Sequence, residues 1–179
     1  DAVVLVTRLD GLQQMEALLD PEETRALALS YQARVRDAMR EFGGQTDDRL
    51  GPSIVSVFGL PHSQGNEAER AVRAALYLRD QLTRQPLRSS QELHLHVGMA
   101  QGQVLRSRNE SLFPLAGPPV HRAHALASAA ARSQIALADE LRDALGERIR
   151  ADAIEPARVQ GVNGWELRSL HVIHVATAP

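Results

Sequence analysis

Three groups of side chains in this sequence are of types that could do chemistry: paired histidines, scattered arginines and the acids of one loop. His94 and His96 stand two apart, so in an extended strand they share a face. A His-x-His pair can hold zinc when a third ligand converges on it. His121 and His124 stand three apart in a predicted helix, and His171 and His174 lie together near the end. No cysteine or tight carboxylate cluster completes any of these sets, so they read as packed or surface histidines and no metal is expected. Arg8, Arg49 and Arg122 are candidate contacts for a nucleotide or another small anion, because the guanidinium fork matches phosphate geometry. The chain contains no lysine, so all 20 of its basic residues are arginine and no mechanism here can use an ammonium group. The absence of cysteine also excludes disulfides, thiolate metal sites and a thiol nucleophile. Gly98 and Gly102 fit a sheet turn better than a phosphate loop, since no Lys-Ser/Thr follows them. Asn109-Glu110-Ser111 matches a glycosylation acceptor but lacks the secretory signal that would give it meaning.

These side chains sit in a chain of 179 residues with 44% hydrophobic content and 3% aromatics. That length suits one domain, residues 1–179, with a core built from Leu, Val, Ile and Ala. The net charge of −2, with no strong block of either sign, argues against nucleic acid or an anionic membrane as the main partner. No apolar run reaches membrane-spanning length and no signal peptide is present. The expected setting is cytoplasmic, with any membrane tether lying outside this segment. The abrupt opening on the strand Ala2-Val3-Val4-Leu5-Val6 suggests a domain excised from a longer protein.

The elements that must position these residues can be read in order. A first strand ends near Thr7, and a short helix follows around Gln13 to Leu18. Asp20-Pro21-Glu22-Glu23 combines an N-cap, proline at the first helical position and acids in the first turn. The helix it opens runs to about Phe42, with Leu27, Tyr31, Val35 and Met39 along one face, and Gly43-Gly44 closes it. A hairpin follows, with Ile54, Ser56 and Phe58 on one face and Val55 and Val57 on the other. Glu67 to Leu82 is an amphipathic helix burying Ala71, Ala74, Ala75, Leu78 and Leu82, and Pro86 marks the break into a linker. Leu93 to Ala100 reads as a strand that turns at Gln101-Gly102 into Gln103-Val104-Leu105. Further on come an irregular stretch from Arg106 to Pro114, a helix from Val120 to Ala131 and a short strand from Gln134 to Leu137. A helix from Ala138 to Leu145 precedes a tail of strands from Arg148 to Ala176, broken at Gly161-Val162-Asn163-Gly164. The order predicts an α+β sandwich of ferredoxin-like type, a central antiparallel or mixed sheet with helices packed on it.

Six landmarks then occur in a fixed order. They are Val4 to Leu12, Leu19-Asp20-Pro21-Glu22-Glu23, the hairpin from Gly43-Gly44 through Asp47 to Val57-Phe58-Gly59, Glu67 to Leu76, Val97 to Val104, and Ala116-Gly117-Pro118-Pro119-Val120-His121. Together they resemble the catalytic homology domain of class III adenylate and guanylate cyclases across nearly the whole chain. The resemblance implies two metal-binding aspartates, and these positions are occupied here by Arg8 and Pro52. The family's transition-state asparagine falls on His121 and its triphosphate-steadying arginine on Ala125. A position that helps choose the base falls on Pro118, the hairpin lysine on Asp48, and a second lysine on Gln160. Asp10, two residues past Arg8, shares that strand face, and a slip of register would bring its carboxylate to the first metal position, with Asp47 or Asp48 the nearest acids to complete a pair.

Cyclisation needs a ribose hydroxyl activated and pyrophosphate expelled, which two metal ions held by two carboxylates normally support. One lost charge contact of this kind costs about 3 kcal/mol, or two orders of magnitude in rate. The resemblance therefore implies a domain that keeps the scaffold and has no cofactor, working as a dimerisation or regulatory module in bacterial-type signalling. Cyclases of this class build their sites between two subunits, so the implied partner is a second copy or another cyclase-like or signalling domain. Two alternatives stand beside it: a metal-independent nucleotide or small-anion sensor using Arg8, Arg49 or Arg122, and a cyclase with weak residual activity. The exchange of charge at Arg8 and Asp48 has two readings as well, an ion pair plugging the vacated metal site or drift to two solvated charges.

Overall fold

The computed structural model describes residues 1–87, 93–106, 111–155 and 161–171. It opens on β1 (Ala2–Asp10), then α1 (Leu12–Glu16) and α2 (Pro21–Glu41). The Asp20 carboxylate accepts from the backbone N–H groups of Glu22 and Glu23 at 2.8 and 2.9 Å, and Pro21 supplies the first helical residue, so α2 starts where its local chemistry dictates. Gly43, at φ 79°, stops it. The strands β2 (Gln45–Thr46) and β3 (Ser53–Phe58) form the hairpin, followed by α3 (Glu67–Arg84) and β4 (His94–Gly102). Then come α4 (Pro118–Ala129), β5 (Ile135–Ala138), α5 (Asp139–Leu145), a 3₁₀ turn at Gly146–Arg148, β6 (Ile149–Ala153) and β7 (Gly164–Leu170).

Among the described residues, the strands make one seven-stranded sheet in the order β2-β3-β1-β4-β5-β7-β6. β1 runs antiparallel to both β3 and β4, while β4 and β5 are parallel, so the sheet is mixed. Side-chain alternation divides the interior into two layers. Val3, Leu5, Ile54, Phe58, Val97 and Met99 pack with the buried sides of α1, α2, α3 and α5. Val4, Val6, Val57, Ala100 and Ala136 face the other way, against α4. The predicted stripe Leu27, Tyr31, Val35 and Met39 is buried, and the Tyr31 hydroxyl donates to Thr7 Oγ1 at 2.9 Å inside the first layer. Burial raises the Tyr31 pKa, so the phenol stays a donor.

Two local expectations are corrected. β1 continues to Asp10 rather than stopping near Thr7, because β4 pairs with it along its full length from Ala2–Gly102 to Asp10–His94. The turn predicted at Gln101-Gly102 is instead the end of β4. Leu105 bridges to Ala116 beyond it, with N–H to carbonyl contacts of 2.8 and 3.0 Å in the two directions. In addition, α4 starts at Pro118, two residues before the predicted start, since proline suits the first helical position.

At the far end of the sheet, Asp139 accepts from Trp165 Nε1 at 2.6 Å and from Asn163 Nδ2 at 3.0 Å. The Trp165 bond, then the Asn163 bond, with help from the Arg142 charge, outweigh burial and hold the carboxyl below its ordinary 3.8. A depressed folded value means stability present above the unfolded value and lost as pH falls through the folded one. Trp165 is the only tryptophan, so its fluorescence reports the loss. Acid titration below pH 3.8 is expected to shift the emission of the wild type, and Asp139→Asn, whose amide oxygen still accepts but does not titrate, is expected to flatten that response.

Candidate functional site

The two positions that the resemblance assigns to metal carboxylates are brought side by side. Arg8 on β1 lies in register with Ser53 on β3, and the Leu9 N–H donates to the Pro52 carbonyl at 3.0 Å. Arg8, Asp10, Gln13, Gln14, Pro52 and Ser128 line an open groove of about 390 Å³ at this end of the sheet. Arg8 Nε lies 3.0 Å from Asp10 Oδ1. The other Asp10 oxygen lies 3.0 Å from His96 Nε2, and His96 Nδ1 contacts the Ala130 carbonyl at the end of α4 at 2.8 Å. Asp10 is thus held by two basic side chains. Among the described residues, no group of three or more His, Asp or Glu is arranged to hold a metal ion.

Of the two readings of the charge exchange at Arg8 and Asp48, the ion-pair plug is not seen: the two side chains take different partners. Asp48 is 86% exposed, with Arg36 Nη1 at 3.9 Å, and its carbonyl accepts from Gln32 Nε2 at 2.6 Å. The backbone of the hairpin loop is tied to α2 at this point, while Arg8 finds its acid two residues along its own strand face.

The three arginines named as anion contacts each take a different carboxylate partner. Arg49 reaches back to Asp47, with Nε 2.8 Å from Oδ2 and the Arg49 N–H 3.1 Å from Oδ1. Beside it, His124 and the buried Asp47 line a second groove of about 250 Å³. Burial, then the neighbouring imidazole of His121, pushes the His124 imidazole toward its neutral form. Arg122 Nη2 donates to Glu140 Oε1 at 2.7 Å and to the Gln101 carbonyl at 2.8 Å. Gln101 is five residues along β4 from His96, the partner opposite Arg8, roughly 17 Å at the rise of a strand. Each of the three cations already has a carboxylate at ion-pair distance.

On α4, His121 is exposed and Ala125 is half-buried, and Pro118 opens the helix. His94 stands opposite Asp10 in the β1–β4 register. His171 donates its N–H to the Arg148 carbonyl at 2.6 Å. Gln160, His174 and the Asn109-Glu110 pair lie outside the described residues. The contact that sequence reading missed is Asp10 with His96. Spacing along the chain paired His96 with His94, whereas its acid lies on another strand, and only the β1–β4 register reveals it.

A family model described as the adenylate and guanylate cyclase catalytic domain matches residues 1–174. Uncharacterized proteins of Mycobacterium tuberculosis and Mycobacterium bovis are 33% identical over 137 residues, which is 76% of this chain and 32% of their own length. The chain therefore spans about a third of the curated relatives it matches. Among solved structures, the adenylyl cyclase CyaB from P. aeruginosa superposes with a TM-score of 0.80 at 20% identity, covering 94% of this chain and 93% of that one. The guanylyl cyclase domain of RhoGC from Blastocladiella emersonii gives 0.84 at 13% identity over 96% of both chains in a monomeric form. A non-canonical dimeric form of the same domain gives 0.83 at 14% identity, covering 96% of this chain and 95% of that one. At these identities the structures speak for the fold alone.

Proposed function

This chain belongs to the adenylate and guanylate cyclase catalytic domain family, and we propose that it is a member without turnover that acts by association, as a dimerisation or regulatory module in a signalling protein. The observation that carries the proposal is the pair Arg8 and Pro52, adjacent on β1 and at the start of β3 and lining one groove. A guanidinium repels a divalent cation and a proline side chain offers it no ligand. The nearest acid, Asp10, is neutralised by Arg8 and sits against His96, and therefore does not stand in for the missing pair. His121 and Ala125, in the places of the asparagine and arginine, remove the remaining contacts to a triphosphate. No cofactor is needed for such a role, and the partner is a second copy or a related signalling domain. We place it in the cytoplasm, and no described helix is long and apolar enough to cross a membrane.

The sensor reading draws less support. A metal-independent anion site needs free cations, and Arg8, Arg49 and Arg122 each already have a carboxylate at ion-pair distance.

Purified protein incubated with ATP or GTP and magnesium or manganese is expected to form no cyclic nucleotide above the blank. Arg8→Asp is expected to leave that result unchanged, because Pro52, His121 and Ala125 remain. Sedimentation across a concentration series is expected to reveal self-association, or pull-down a cyclase-like partner. Cyclic product from the wild-type chain overturns the lack of turnover, and a strict monomer without any partner overturns the associative role.

A further inference from the structure

A cleft of about 330 Å³ opens between the C-terminal half of α3, the first residues of β4 and the turn joining α4 to β5. That volume falls at the small end of the range for ligand sites. Leu9, Leu82, Leu87, Leu93 and Leu95 line it, so its walls are aliphatic. Leu9, Leu87 and Leu95 are also part of the first packed layer, which makes the floor of the cleft a piece of the core. Arg79 and Ser133, with Thr83 and His94, give it a polar rim. Among the described residues Arg79 has no carboxylate at ion-pair distance, in contrast to Arg8, Arg49 and Arg122. Its Nη1 reaches the Ser133 carbonyl at 3.5 Å, longer than an ordinary N–H to oxygen bond. Ser133 holds φ 58°, and among the described residues it is the one residue other than glycine with a positive φ. Glycine would adopt that backbone without strain but offers no hydroxyl. Thr83 already spends its hydroxyl proton on the Arg79 carbonyl at 2.9 Å.

We propose that this cleft binds a small apolar monocarboxylate, with its carboxylate on Arg79 and Ser133 and its hydrocarbon body against the leucines. A planar guanidinium takes a carboxylate through paired, charge-assisted hydrogen bonds. Covering the leucines removes apolar surface from water. A single unmatched cation suits one negative charge rather than the several of a nucleoside triphosphate. Of the residues that line the cleft, only Leu9 also lines the Arg8 groove, so the proposal stands whether or not the domain turns over nucleotide.

Calorimetry on the whole chain with phenylbutyrate and cyclohexanecarboxylate tests it, each acid set against its carboxamide. At least one acid is expected to bind with a Kd below about 1 mM, and its carboxamide at least about tenfold more weakly. Arg79→Met keeps the aliphatic length and loses the charge. It is expected to weaken the acid at least about tenfold and to leave the carboxamide within about twofold. Kd values above about 1 mM for both acids overturn the proposal. So does an acid that binds no better than its carboxamide, or one that binds Arg79→Met as well as wild type. Should Arg79→Met fail to fold, ¹H–¹⁵N spectra of the wild type locate the bound acid. Shifts led by the Ser133 amide and the Arg79 Nε–H support the cleft, and shifts confined to other residues overturn it.

Discussion

Gly98→Val is expected to destabilise the domain by about 3 kcal/mol or more, a large fraction of the total stability of a domain. Gly98 sits in the middle of β4, on the face covered by α4. A Cβ there would run into the Ala123 carbonyl oxygen and the Ala127 amide nitrogen, both backbone atoms of α4. Backbone cannot swing aside as a side-chain tip can, so the whole helix must lift. Lifting it exposes Ala123, Leu126 and Ala127, all buried against Val4, Val6 and Ala100. It also draws the Ala130 carbonyl away from His96. Urea denaturation followed by circular dichroism measures the effect. A variant within about 1 kcal/mol of wild type would mean that α4 does not sit this close to the sheet.

Phe58→Ala is expected to cost about 3–5 kcal/mol, the range for emptying a fully buried aromatic site. Phe58 ends β3 with no exposed surface and holds together three elements. The face of its ring lies against Gly44, just past the end of α2, and the Arg70 guanidinium of α3 stands 5.9 Å from its centroid. That guanidinium also donates to the Phe42 carbonyl at 3.0 Å, closing the C-terminal end of α2. Truncating the ring therefore leaves a cavity at the junction of β3, α2 and α3 and removes the surface on which Arg70 rests. Phe58→Leu, which keeps most of the apolar volume, is expected to recover the larger part of the loss. The midpoints of urea unfolding for the two variants check this ordering; alanine no worse than leucine would contradict the packing described.

Much of the fold was legible because it rests on local rules. The Asp20-Pro21 start of α2, its buried stripe, the two-faced alternation of β3 and the amphipathic α3 all appear where spacing along the chain puts them. The expected α+β sandwich is the architecture observed, with a mixed sheet carrying α1, α2, α3 and α5 on one face and α4 on the other. The full length of β1 was less legible, since Arg8 and Asp10 break its apolar run and only pairing with β4 extends it. The turn expected at Gln101-Gly102 went astray for a similar reason. The glycine suggested a reversal, but hydrogen bonds to β1 carry β4 through it.

The sequence by itself determined which side-chain types stand at the positions that the resemblance assigns to the family's working residues: Arg8 and Pro52, His121 and Ala125, with no lysine or cysteine anywhere in the chain. Those are identities, and no folding changes what a side chain can ligate. Only the tertiary structure decided which charges meet. Asp10 and His96 are far apart in the chain and adjacent across β1 and β4, whereas Arg8 and Asp48, which the sequence offered as one possible ion pair, turn to different partners. Ion pairing falls off over a few ångströms, and strand register, which sets those ångströms, is a property of the whole sheet rather than of any segment within it.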